Sequence, residues 1–194
     1  MSEQTLTELY AKKRALVVDA PSDMRASFTS MLRRLGCQHI DLARDGEEAV
    51  RLCAASRYDL VICDYGLGGG KNGQQVLEEL RYTETLSHSA IFILLTSETS
   101  RKNVFGALEA KPDGYLAKPV NLNEFQRRLD KIVSEKEYFF AVNQALDKSD
   151  FERAVELIDG LSPSQPQYQN MAKQLKGFAL LRANKFTQAA TYYR

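Results

Sequence analysis

Four residues in this 194-residue chain stand where a buried strand gives way to a loop, and their side chains could do chemistry together. Ala15-Leu16-Val17-Val18 ends in Asp19, and Leu60-Val61-Ile62-Cys63 ends in Asp64. Ala90 to Leu95 ends in Thr96, and Gly114 to Ala117 ends in Lys118. Short continuous apolar runs of this kind suit parallel strands buried on both faces. Ligands of open α/β sheets bind beyond the carboxyl ends of such strands. One site would then gather two carboxylates, a hydroxyl and an ammonium. Taken singly, each residue also reads as a cap, a turn residue or a surface charge.

The elements that must position these residues follow from periodicity and punctuation. Pro21-Ser22 opens a helix carrying Met24, Phe28, Met31, Leu32 and Leu35, closed by Gly36. His39 to Ala43 forms a second strand. Asp45 and Glu48 have capping-box spacing for a helix through Ala55. The third strand, about Asp59 to Asp64, leads into the glycine-rich run Gly66-Leu67-Gly68-Gly69-Gly70, which is expected to be mobile. A helix with Val76, Leu77 and Leu80 follows, then the fourth strand and a helix with Val104, Phe105 and Leu108. After the fifth strand, Asn121 and Glu124 cap a helix bearing Leu122, Phe125, Leu129, Ile132 and Val133. Residues 1–13 read as a frayed lead-in or a single helical turn. Five repeats of strand then helix imply a flavodoxin-like, doubly wound parallel sheet in the order 2-1-3-4-5. That order makes the ends of strands one, three, four and five neighbours.

Beyond about Ser134 only helical pattern remains. Phe151-Glu152-Arg153-Ala154 and Phe186-Thr187-Gln188-Ala189 are alike at an offset of 186 − 151 = 35, and Ala145-Leu146 corresponds to Leu180-Leu181. A repeat of roughly 34 residues with an aromatic before a small residue is the tetratricopeptide pattern. The expected division is 11–134 for the α/β domain and 135–194 for partial helical repeats, broken at Leu161 to Pro166. The second repeat stops inside its second helix, as in a fragment of a longer protein. No Gly or Pro lies from Asn121 to Lys148, so the fifth α/β helix is expected to run on into the first repeat helix.

Composition narrows the function classes. A net charge of +1 gives no electrostatic reason to expect a nucleic acid or a membrane as partner. Cys37, Cys53 and Cys63 have no metal-ligand spacing and read as reduced core thiols, and no signal peptide or long apolar run is present. A cytoplasmic protein is expected. Gly68 to Gly73 contains G-x-G-x-x-G, but it follows the third strand and no ribose-binding acid follows about 20 residues on. His39 and His88 lie far apart and support neither a zinc site nor a triad.

With those segments in place, the chain over residues 11–134 resembles the response-regulator receiver domain of two-component signalling, the chemotaxis-regulator type. The resemblance rests on Leu16-Val17-Val18-Asp19, Asp45-Gly46-Glu47-Glu48-Ala49, Asp59 to Asp64, Leu95-Thr96-Ser97 and Gly114 to Pro119 in order. It implies that Asp64 is a phosphoacceptor, loaded by a histidine kinase or phosphotransfer protein. By the same resemblance Asp19, Asp64 and the backbone carbonyl of Gly66 bind magnesium. Lys118 contacts the phosphoryl group, Pro119 follows a cis bond, and Thr96 and Tyr115 form the switch. Such a protein is a phosphoacceptor, at most self-catalysing its phosphotransfer and dephosphorylation, rather than an enzyme with a separate substrate. Other partners would be a protein bound by the helical repeats and a second copy of the chain.

Two departures bear on the chemistry. Receivers usually carry two adjacent acids after the first strand, whereas this chain has Asp19-Ala20, which weakens the expected magnesium site. Asp23, one turn into the next helix, is either a substitute ligand or a solvated helix acid. The glycine-rich loop also lacks the usual proline and is one residue longer. The alternative reading is therefore a pseudo-receiver, independent of phosphorylation, serving as a dimerisation or docking scaffold; a flavin site on the same fold stands behind it.

Overall fold

The structure, a computed structural model, describes residues 3–97, 111–161 and 165–192, and the chain divides into two compact units, Met1–Ser134 and Glu135–Arg194. The first unit opens with α1 (Glu3–Lys12) and β1 (Arg14–Val18), then α2 (Ser22–Arg34), β2 (His39–Ala43) and α3 (Gly46–Ala55). It continues with β3 (Leu60–Asp64), α4 (Gly73–Tyr82), β4 (Ile91–Thr96) and β5 (Gly114–Ala117). Helix α5 (Leu122–Tyr138) ends in the second unit. The expected helix with Val104, Phe105 and Leu108 lies outside the described residues.

The five strands form one parallel sheet in the order β2-β1-β3-β4-β5. Alternate side chains of each strand enter opposite layers, as a period of two requires. Leu16, Val18, Val61, Cys63, Phe92 and Leu94 pack in the layer that holds α3 and α4 residues. Ala15, Val17, Leu60, Ile62, Ile91 and Ile93 join the layer built with α2 and α5. All six residues of β4 are buried, which makes it the least solvated strand of the sheet. Burial on both faces explains why these strands read as unbroken apolar runs.

Residues 3–12 form a ten-residue helix rather than a frayed lead-in. Tyr10 of α1 is buried in the α2–α5 layer and its hydroxyl donates to Asp130 Oδ1 of α5 at 2.6 Å. Burial is the main cause of its raised pKa, and the bond to Asp130 adds to it, so the phenol stays protonated. Thr7 lies under Gly36, whose φ of +105° ends the α2 segment as glycine can. An amphipathic run of only ten residues gains its stability from this packing.

The caps agree with the sequence at Asp45, whose side chain accepts from the Glu48 amide at 2.8 Å, and at Asn121, which accepts from Glu124 at 3.0 Å. The return bond from Glu48 goes one residue upstream, to the amide of Arg44 at 3.0 Å. A complete capping box occurs instead at Asn72 and Gln75, at the start of α4. That box and Glu47 tie down the second half of the glycine-rich loop, which sequence alone marks as mobile. The Lys71 amide donates to Glu47 Oε1 at 3.3 Å, and Glu47 lies against Gly70, whose φ is +84°.

The second unit contains α6 (Phe140–Asp147), α7 (Phe151–Asp159), α8 (Gln169–Arg182) and α9 (Phe186–Ala189), with short 3-10 turns at Pro166–Tyr168 and Ala190–Tyr192. Helix α5 stays helical to Tyr138, and the chain leaves regular helix at Phe139 (φ −93°, ψ 15°) before α6 begins. The two helix pairs repeat in backbone detail at one interval. Ser149 and Asn184 are both left-handed, with φ of 57° and 59°. The amides of Asp150 and Lys185 donate to the carbonyls of Ala145 and Leu180, each at 2.9 Å. Ala154 and Ala189 are both fully buried. Phe139 and Tyr168 meet edge to face at 5.9 Å, and Tyr138 stacks on Tyr168 at 4.4 Å. No helix among the described residues is long and apolar enough to cross a membrane.

Gly73, the first residue of α4, is where backbone approach is closest. A Cβ there would lie 2.8 Å from Leu94 Cδ1 and 3.0 Å from the carbonyl carbon of Asp64. Gly73→Ala is expected to destabilise the protein by about 2 kcal/mol, the usual scale for overpacking. Gly69→Ala, whose methyl meets nothing within 4 Å, should change stability by less than about 0.5 kcal/mol. Urea unfolding of the two variants checks the contrast.

Candidate functional site

The sheet places the four strand-end residues side by side. Val18 pairs with Cys63, Asp64 with Leu95, and Thr96 with Ala117, so Asp19, Asp64, Thr96 and Lys118 converge at one edge. The strand order reverses between β1 and β3, which leaves a crevice at this point. The Lys118 amide donates to the Thr96 carbonyl at 2.8 Å, and the Asp19 amide donates to Ala43 at 3.2 Å. Each site residue is therefore held by its neighbour strand before its side chain is considered.

Lys118 ties the two acids together. Its ammonium lies 2.6 Å from Asp19 Oδ2 and 2.9 Å from Asp64 Oδ1. Asp19 is completely buried, while Asp64 and Lys118 retain some access to solvent. Asp19 Oδ1 is buried without a hydrogen-bond partner. Buried carboxylate oxygens are costly to leave unmatched, so this atom is poised for a cation or water. The Lys118–Pro119 bond is cis. Thr96 is buried, and Tyr115 is half-buried against the α3–α4 layer, with its phenol pKa raised by that burial.

Opposing effects set the protonation of the site. Burial pushes the Asp64 pKa up and Asp19 adds to this, while Lys118 and the Gly66 amide act against it; the net direction is upward. Burial works to lower the Lys118 pKa, but its bonds to Asp19 and Asp64 outweigh it and hold the ammonium charged. Cys63, next to Asp64, has its thiol pushed well up by burial and is inert as a nucleophile. All three cysteines are free and buried.

Two further features surround the acids. Arg25, one turn into α2, donates through Nη1 to the carbonyl oxygens of Asp19 and Ala20, each at 2.6 Å. Sequence offered no signal for this, because the acceptors are backbone carbonyls a few residues upstream that no motif marks. Asp23 is exposed. Among the described residues no group of three or more His, Cys, Asp or Glu is placed to hold a metal.

Residues 15–130 match the family model described as the response regulator receiver domain. The chain belongs to this receiver family. Chemotaxis protein CheY-3 of Vibrio cholerae is 31% identical over 119 residues, which span 61% of this chain and 90% of the relative. Chemotaxis protein CheY of Pseudomonas aeruginosa is 29% identical, over 61% of this chain and 94% of its own. Among solved structures, response regulator protein TrrA of Thermotoga maritima, in complex with Mg2+-BeF, is 32% identical with a TM-score of 0.52, covering 62% of this chain and 98% of that one. The receiver domain of a sensor histidine kinase of Pseudomonas aeruginosa, with magnesium in its active-site cleft, is 30% identical with a TM-score of 0.55, over 63% and 98%. The receiver match ends at residue 130, short of the second unit.

The pKa directions give a pH test of this receiver site. Asp64 has a folded pKa above its unfolded value, so its ionisation costs stability above the folded pKa, and the cost vanishes below the unfolded value. Asp64→Asn is therefore expected to be more stable than wild type near neutral pH, with the difference shrinking as pH falls through the raised folded pKa and gone below about 4. Lys118 has the reverse pH window. Its contribution is full below the ordinary lysine value of 10.5 and is lost as pH rises through the higher folded pKa. Lys118→Ala should cost about 3 kcal/mol at neutral pH, because it leaves Asp19 buried and unpaired. Thermal unfolding from acid through alkaline pH measures both.

Proposed function

We propose that this receiver domain accepts a phosphoryl group on Asp64 in two-component signalling and passes the resulting state to the helical unit that follows. The single observation that carries the reading is the pairing of Asp64 and Asp19 through one ammonium at the switch point of the sheet. An oxygen of the Asp64 carboxylate attacks phosphorus in line while the bond from phosphorus to a phosphohistidine nitrogen of the donor breaks. The electron pair leaves on that nitrogen, and the product is an acyl phosphate. The donor would be a histidine kinase or phosphotransfer protein.

Positive charge is needed because a carboxylate here meets an anionic donor. Lys118 supplies part of it, and the shift of Asp64 charge into the acyl phosphate frees its ammonium for a phosphoryl oxygen. Asp19 with its unpartnered Oδ1, Asp64 and the Gly66 carbonyl fit a magnesium site, since that ion takes one or two carboxylates and fills its remaining positions with water or phosphate oxygen. When bound, magnesium would neutralise charge on the transferring group. Ala20 removes one oxygen donor, so the affinity should be low for this kind of site. Thr96 and Tyr115 are the proposed switch pair, the hydroxyl of one answering the new phosphate and the ring of the other reporting its movement.

The relay reading draws support from α5, which carries residues of both units, and from the repeated backbone geometry of the helix pairs. That geometry favours tetratricopeptide-like repeats as a surface for a protein partner. A second reading is a phosphorylation-independent scaffold. It is favoured by Ala20, which puts a methyl group where receivers usually carry the second acid.

Acetyl phosphate with magnesium separates the two. Phosphorylation is expected to add one phosphoryl mass to the wild type and none to Asp64→Asn, and Ala20→Asp should raise the rate at limiting magnesium by about tenfold, equivalent to roughly 1.4 kcal/mol. A wild type that gains no mass under saturating donor would leave the scaffold reading.

A further inference from the structure

The entry turn of α2 carries a device outside the acid–lysine triad. Asp19, Ala20 and Pro21 link β1 to α2, and the α2 N-cap is Pro21, which makes no side-chain cap bond. Ala20 has only a methyl and Pro21 only its ring, so neither side chain can supply a polar group to fix the turn. The fixing group comes from the helix itself. One nitrogen, Arg25 Nη1, stands 2.6 Å from the Asp19 carbonyl and 2.6 Å from the Ala20 carbonyl.

In an extended strand successive carbonyls point in opposite directions, so two that converge on one donor mark where the chain turns. Converging carbonyl dipoles repel, and a guanidinium between them offsets that repulsion through charge-assisted bonds. The amide of Asp19 is meanwhile held on Ala43 at 3.2 Å. The Asp19 backbone is thus gripped on both sides, which fixes the direction of its buried carboxylate. One oxygen of that carboxylate meets Lys118, and the other, Oδ1, has no protein partner. Buried side chains hold such a direction only if their backbone is fixed, and a site with few acids depends more heavily on each one.

We propose that Arg25 is a positioning residue for the cation site: by clamping the Asp19 and Ala20 carbonyls it aims Asp19 Oδ1 at the cation. It offsets in part the acid that Ala20 lacks. The proposal rests on the reading of Asp19 and Asp64 as cation ligands. It places no contact between Arg25 and the phosphoryl group.

The full chain, titrated with Mn2+ alone and followed by electron paramagnetic resonance, tests it. Arg25→Ala is expected to weaken Mn2+ binding at least fivefold. Arg25→Lys, which keeps a cation of shorter reach, should recover at least half of that loss on a logarithmic scale. Asp19→Asn is the control for the underlying reading, and it should lose Mn2+ binding by more than tenfold. If Asp19→Asn binds like wild type, the cation-site reading fails and the proposal with it. If Asp19→Asn loses binding while Arg25→Ala keeps it, the site stands and the role of Arg25 is overturned. A purely structural arginine would lower the unfolding midpoint and leave the Mn2+ affinity of the folded protein unchanged, which also overturns the proposal. Should Arg25→Ala not fold, Arg25→Lys and hydrogen exchange at the Asp19 amide decide the matter. Exchange is expected to quicken at least threefold, and wild-type protection with wild-type Mn2+ affinity would contradict the clamp.

Discussion

One ammonium between two carboxylates is the constraint on which the rest of this receiver depends. Asp19 has no access to solvent, so its charge is tolerable only while Lys118 is present. The chain brings that lysine from 99 residues away. The connection closes only if β5 pairs with β4, β4 with β3, and β3 with β1 in register. The apolar strands supply the burial that makes the triad strong, and the triad penalises any slip of the sheet by leaving a buried charge unmatched. Stability and site geometry are thus two consequences of one arrangement.

The same arrangement shapes reactivity. Desolvation raises the Asp64 pKa and leaves a more basic carboxylate, while Lys118 restrains that rise and keeps the group ionised enough to act. Asp19 holds Lys118 in place and has one oxygen to spare. Where the family usually has a second acid, this chain has the methyl of Ala20, and its carbonyl is taken by Arg25. The loop after Asp64 divides in function. Gly68 and Gly69 border open space beside the site, and from Gly70 onward the chain is fastened to α3 by Glu47 and to α4 by its capping box. Glycine is needed at Gly73 for close backbone approach and at Gly70 for its positive φ.

The sheet and its order were legible because parallel strands buried on both faces produce unbroken apolar runs, and five of these alternate with amphipathic helices. Asp19, Asp64, Thr96 and Lys118 were legible for the same reason, since each closes such a run. Helix α1 was not legible. Its ten residues carry a weak pattern, and its stability comes from burying Tyr10 against α5, a contact 120 residues away. Arg25 was hidden likewise, as its partners are backbone carbonyls that no motif marks. The break at Phe139 shows the opposite limit, because a stretch free of Gly and Pro still left helical geometry there. Local propensity permits a helix at that point without requiring one. In the second unit, the repeated aromatic and alanine positions were visible in sequence, and the matching left-handed residues Ser149 and Asn184 appear only in the backbone.

The central claim is that the Asp19–Lys118–Asp64 triad is a working phosphoryl site. Beryllofluoride with magnesium, which occupies such a site without chemistry, tests it most directly when followed by amide NMR of the full chain. The account expects shifts at Asp19, Asp64, Thr96 and Lys118 that saturate with the ligand and disappear in Asp64→Asn. A spectrum of the wild type that does not change under saturating beryllofluoride and magnesium would contradict it.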